Sequence, residues 1–146
     1  MEIERKFLIK KLPDDLSSYE CLFLEQAYLC TDPVIRIRRQ NNDYYMTYKG
    51  KGLMTREEYN LPLNEQAYRH LLPKADGTII SKKRYLIPIE KPVFAEGFSV
   101  PLQPLNLKIE LDIFDPPLSP LVIAEVEFPD EEMANAFLPP SWLMED

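Results

Sequence analysis

The sequence predicts a mainly β, α+β chain in which about eight antiparallel strands close into a barrel or sandwich, with a few helices outside it. Three observations predict this. Many short segments alternate in polarity with a period of two, the signature of a strand with one face buried. The segments follow one another through short turn-rich links, which suits hairpins rather than helical crossovers. Fourteen prolines against four glycines punctuate the chain, and no long stretch has a helical period.

The elements follow in order. The alternating segments fall near 2–9, 23–30, 34–40, 43–50, 55–61, 79–87, 106–114 and 121–128. NNDYY at 41–45 and KGKGLM at 49–54 read as hairpin turns. Pro13-Asp14-Asp15 suits the start of a helix over 13–19. Asn64 is a candidate N-cap for a helix over 64–72, with Leu63, Ala67, Leu71 and Leu72 on one face. A third helix is expected over 130–138, after Pro129 and Asp130, offering Met133, Ala134 and Phe137 to a core. The stretch 88–105 carries Pro88, Pro92, Pro101 and Pro104 and reads as an irregular excursion. Repeats, low-complexity tracts and linkers are lacking, so the expectation is one domain over 1–146.

Composition narrows the chemistry. No run of about 18 apolar residues would span a membrane. The opening MEIERKF lacks the uncharged stretch of a secretion signal, which leads to the expectation of a cytoplasmic protein. Cys21 and Cys30, the two cysteines, are then expected to be reduced and partly buried. His70 is the single histidine, which argues against a His-rich zinc site or a Ser-His-Asp triad and leaves carboxylates as metal ligands.

The alternation also sorts the charges. Side chains at i and i+2 of a strand share a face about 6.6 Å apart. Glu2, Glu4 and Lys6 therefore stand together opposite Ile3 and Phe7, and Arg36 and Arg38 stand opposite Ile35 and Ile37. The same rule groups Thr47 with Lys49, Arg56 with Glu58 and Asn60, and Lys82 with Arg84. It also groups Lys108 with Glu110 and Asp112, and Glu125 with Glu127. This face holds eight cations and seven anions, near +1, while the rest of a chain of net charge −7 is near −8. Periodicity does not say which face is inside: the charged side is a solvated surface or the lining of an enclosed channel. Its acids cluster on the first and last strands and its bases on the middle ones, and the neutral polar residues of an ordinary solvated face are scarce. An interior with about fifteen ionic groups is costly unless they pair, hydrate or bind a ligand of high charge density.

Taken in order, these segments resemble the CYTH domains, also called triphosphate tunnel metalloenzymes. MEIERKFL carries their ExExK signature, followed by EQAYL at 25–29, VIRIRR at 34–39, TYKG at 47–50 and TREEYN at 55–60, then SKKRY at 81–85, IELDIF at 109–114 and AEVEF at 124–128. The resemblance implies an eight-stranded antiparallel β-barrel tunnel with external helices, and the cleavage of triphosphates with Mg²⁺ or Mn²⁺. It departs at Asn60, where many members carry an acid, and at the long 88–105 excursion.

Roles follow from the resemblance. Glu2, Glu4, Glu125 and Glu127 are expected to hold the metal. Glu58, Glu110 and Asp112 are expected to hold a second one or to orient basic neighbours. Lys6, Arg36, Arg38, Lys49, Arg56, Lys82 and Arg84 are expected to grip phosphate oxygens. A Lys82–Tyr28 pair is expected to activate the attacking water; Gln26 shares a strand face with Tyr28, which would let the tyrosine point inward. The implied partner is a small triphosphate or polyphosphate, with inorganic tripolyphosphate first. Class IV-type adenylate cyclase, thiamine triphosphatase and a non-catalytic polyphosphate or nucleotide sensor are the alternatives. No nucleic-acid or membrane partner is expected, and a homodimer is left open.

Overall fold

The computed structural model describes residues 1–145. Its strands are β1 (Glu2–Ile9), β2 (Glu20–Thr31), β3 (Val34–Gln40), β4 (Asp43–Lys49), β5 (Thr55–Arg56) and β6 (Glu58–Leu63), then β7 (Asp76–Pro88), β8 (Val93–Phe94), β9 (Lys108–Phe114), β10 (Val122–Glu127), β11 (Phe137–Leu138) and β12 (Leu143–Glu145). Two helices, α1 (Glu65–Leu71) and α2 (Glu131–Ala136), pack outside.

The main sheet runs β1-β10-β9-β7-β2-β3-β4-β6, every neighbour antiparallel. It curls until β5, continuous with β6 except for a break at Glu57, returns to β1 through Glu2↔Arg56 and Ile3↔Thr55. The amide of Glu4 extends this seam by donating to the carbonyl of Met54 at 3.1 Å. The other half of the same β1 edge, Phe7–Ile9, pairs with β12. Eight staves thus form a nearly closed barrel, the tunnel expected from the sequence.

The apolar faces of the staves look outward beneath the helices and loops. Phe7, Leu111, Ala124 and Val126 are at most 1% exposed and pack with Ile109, Phe128, Met133, Ala134 and Phe137 of the α2 side. Ala27, Ile37 and Tyr68 form a second cluster under α1. Arg5, on the outward face of β1, clamps the end of α2 by donating from Nη1 to the carbonyls of Ala134 and Phe137, both at 2.8 Å. Leu111 is fully buried in this layer. Leu111→Ala is expected to cost about 2–5 kcal/mol, read as a lower urea midpoint at unchanged slope.

Local chemistry sets the remaining boundaries. Asn64 and Asp130 cap the two helices, accepting from the amides of Ala67 and Met133 at 2.7 Å each. The 41–45 hairpin forms with Asn41 at a φ of 52°, a conformation that asparagine tolerates. The helix expected over 13–19 is only a 3-10 turn at Leu16–Ser18, because Glu20 to Leu22 are recruited to β2 by pairing with Leu86 to Arg84. The helix expected over 130–138 stops at Ala136, since Phe137 and Leu138 turn to pair with β8 and Pro139 could not continue it. The 88–105 excursion contains that β8 strand. Both cysteines are free; Cys30 is half-buried, but Cys21 is exposed rather than partly covered. No helix among the described residues is long and apolar enough to cross a membrane.

Candidate active site

The charged faces line a cavity of about 390 Å³ inside the barrel. Each strand presents every second side chain inward, so neighbouring staves bring their alternating ions together. Six cations line it (Lys6, Arg36, Arg38, Lys49, Lys82, Arg84), and so do six acids (Glu2, Glu4, Glu58, Glu110, Glu125, Glu127). Tyr28 and Gln26 of β2 join them. One end is apolar, made by Ile80, Phe114, Leu118, Leu121 and Ile123. The other adjoins a second cavity of about 600 Å³ at Glu110 and Glu127, walled in part by Pro101, Gln103 and Pro104 of the excursion.

Some of these ions are internally paired. Asp112 lies behind the wall, 1% exposed, and takes Lys82 Nζ at 2.7 Å together with Arg84 Nε at 2.7 Å and Nη2 at 2.8 Å. Arg84 also reaches Glu110 through Nη1 at 2.8 Å. Lys49 Nζ is 2.8 Å from Glu2, 3.7 Å from Glu58 and 3.8 Å from Glu4. Asn60, in place of an acid, accepts from Thr47 Oγ1 at 2.6 Å and donates to Glu58 at 3.1 Å, so it orients that carboxylate.

Other cations are left without a carboxylate. Among the described residues, Lys6, Arg36 and Arg38 have no acidic oxygen within ion-pair distance. The Nε of Arg36 is buried with no hydrogen-bond partner. Unmatched cations in a confined space await an anion.

Burial and neighbours tune the titrating groups. Glu4 and Glu125 act on each other and are shifted in opposite directions. Burial, then the Glu125 carboxylate, pushes Glu4 up to about 8. Burial alone would raise Glu125 as well, but the hydrogen bond from Glu4 and the charges of Arg84, Lys6 and Lys82 hold it down to about 2. Burial lowers Lys82 to about 8; Asp112 resists this, while Arg84 and Arg38 push the same way. Arg84 stays charged because Asp112 and Glu110 outweigh its burial.

Two of the expected residues do not line the cavity. Arg56 stands opposite Glu2 in register, on the short strand before the break at Glu57, and is not among the residues that line this cavity. Asp112 is buried beneath Lys82 and Arg84 and accepts three hydrogen bonds from them. Glu58 and Glu110 likewise face the basic neighbours Lys49 and Arg84. Lys82 and Tyr28 both line the wall but are not cross-strand partners. Leu24 stands opposite Lys82, and Tyr28, beyond a bulge, stands opposite Asp76.

The donor set suits a hard divalent cation. It offers carboxylate oxygens from Glu2, Glu4, Glu125 and Glu127, and the neighbouring acid that helps to raise Glu4 marks a place where added positive charge is favoured. No cluster of three or more His, Cys, Asp or Glu among the described residues is spaced to hold a metal.

A barrel with an ionic lumen, apolar outer faces and unmatched internal cations defines a tunnel-type binder of small polyanions. The chain belongs to the CYTH family: the CYTH domain model matches residues 1–115. It is 36% identical over 148 residues to the inorganic triphosphatase of Nitrosomonas europaea, across 99% of this chain and 87% of that protein. Its fold is similar to the crystal structure of the inorganic triphosphatase NE1496, with a TM-score of 0.64 and 34% identity over 99% of this chain and 85% of that one. A more distant likeness, in fold alone, is to HpAC1 from Hippeastrum, a putative adenylyl cyclase described as having a dominant triphosphatase activity. There the TM-score is 0.61 and the identity 14%, over 92% of this chain and 83% of that one.

Proposed function

We propose that this protein hydrolyses inorganic tripolyphosphate to pyrophosphate and phosphate with the help of Mg²⁺ or Mn²⁺. The observation that carries the reading is the lumen itself, where, among the described residues, Lys6, Arg36 and Arg38 have no carboxylate within ion-pair distance, beside Glu4 and Glu125. A short polyphosphate supplies the missing negative charge. The similarity to an inorganic triphosphatase over nearly the whole chain supports the same substrate.

Glu4 and Glu125, with Glu2 and Glu127 beside them on the wall, hold the divalent ion. When bound, the ion neutralises charge on the phosphate oxygens and helps to align the chain. Arg36 and Arg38 bind oxygens through planar forks and Lys6 as a point charge. Lys49 and Arg84, already fixed by carboxylates, add preorganised positive potential. Lys82, in its neutral form, takes the proton of the attacking water, and Asp112 holds its Nζ in place. Tyr28, on the wall of the same cavity, orients the attacking water.

One assay tests the reading. Tripolyphosphate, ATP and thiamine triphosphate are offered with Mg²⁺ or Mn²⁺, and phosphate and cyclic AMP are measured. Phosphate from tripolyphosphate well above the others is expected. Cyclic AMP from ATP would make the protein a cyclase, and tight binding without product would make it a sensor. Within the same assay Arg38→Ala is expected to raise KM for tripolyphosphate by roughly 10-fold or more, since a charge-assisted fork is lost. If neither KM nor kcat moves, Arg38 is structural only.

A further inference from the structure

We propose that Gln26 is a positioning residue that fixes Arg38 without neutralising it and thereby sets the anion affinity of the tunnel. This rests on the reading of the lumen as a triphosphate site. Gln26 and Arg38 are cross-strand partners on β2 and β3, 4% and 6% exposed. One oxygen, Gln26 Oε1, accepts from both Nε at 3.1 Å and Nη2 at 2.6 Å of the guanidinium. A guanidinium has five N–H donors, so this grip fixes its plane and leaves the remaining donors to the lumen and to the nearby Tyr45.

The choice of an amide is informative because the neighbouring cations are handled differently. Arg84 is held by two carboxylates, Lys82 by Asp112 and Lys49 by Glu2. Glutamate has the shape of glutamine and would hold Arg38 in the same geometry more strongly. It would also cancel the charge. Arg38 has burial and two like charges, Arg36 and Arg84, acting against its protonated form. A buried cation in that setting is expensive, and a bound anion relieves it. Gln26 therefore directs the guanidinium while leaving its countercharge to the substrate.

The test is titration calorimetry of tripolyphosphate, with divalent metal chelated, into the wild type and Gln26→Glu. The wild type is expected to bind. Gln26→Glu is expected to bind on the order of 10–100-fold more weakly, with an unchanged or higher melting temperature because an ion pair has formed. Steady-state kinetics should show the loss mainly in KM. Equal affinity for the two proteins overturns the inference while leaving the triphosphate reading in place. Failure of the wild type to bind, with or without metal, overturns that reading and the inference with it. A second variant, Gln26→Met, keeps the shape without the acceptor and is combined with Arg38→Ala. Weaker binding from Gln26→Met alone, absent in the Arg38→Ala background, is the expected non-additivity. A full further loss in that background means that Gln26 acts by another route and overturns the inference.

Discussion

Glu4→Gln is expected to abolish metal-dependent phosphate release from tripolyphosphate, a loss of about 10²-fold or more, while the melting temperature holds or rises. Glu4 is 9% exposed, and burial and then the neighbouring Glu125 push it up to about 8. Its one cationic neighbour, Lys49, is 3.8 Å away and closer to Glu2. An amide in its place has the shape of the protonated acid and leaves the fold intact, but it cannot ionise to give the metal a hard anionic oxygen. The measurement is phosphate release against Mg²⁺ concentration, with a thermal melt of the same sample. Full metal-dependent turnover in the variant would take Glu4 out of the metal site.

Lys82→Met is expected to lower kcat by roughly 10²–10⁴-fold, the usual contribution of a general base, and to remove a pH limb from the rate. The sign follows from the direction of the shift. Burial brings Lys82 down from 10.5 to about 8, so below that pH the side chain is an ammonium that cannot accept a proton. In the wild type kcat should therefore climb with pH, about tenfold per unit while the ammonium dominates, and flatten above about 8. A variant with the same limb would assign it to another group. Asp112 opposes the shift and holds Nζ at 2.7 Å, which keeps the base aimed while burial, Arg84 and Arg38 make it available.

Much of this molecule is legible in its alternation. Period-two patterning placed the staves, and parity placed Glu2, Glu4, Lys6, Arg36, Arg38, Lys82 and Glu125 on one face, because a strand leaves its side chains no other choice. Boundaries were less legible where a partner recruits extra residues, as at Glu20 and at Phe137. Arg56 has the parity of Glu58, yet one irregular residue, Glu57, separates their staves, and nothing local in TREEYN marks the break. Tyr28 and Lys82 both line the cavity, as their parity requires, but that they are not directly opposite each other follows from the bulge that shifts pairing between Gln26 and Tyr28. Gln26 drew notice only as the face-mate of Tyr28, and its hold on Arg38 depends on which residue of another strand lies opposite.

The sequence by itself determined that about eight strands would each carry an ionic face and an apolar face, and that carboxylates and cations would be the site's chemistry, because side-chain direction along a strand is a local property. Only the tertiary structure decided that the ionic face turns inward, that Asp112 is buried beneath its bases and that Arg38 answers to a neutral amide. Those outcomes depend on curvature and on register between strands distant in the chain, which no periodicity within a single strand contains.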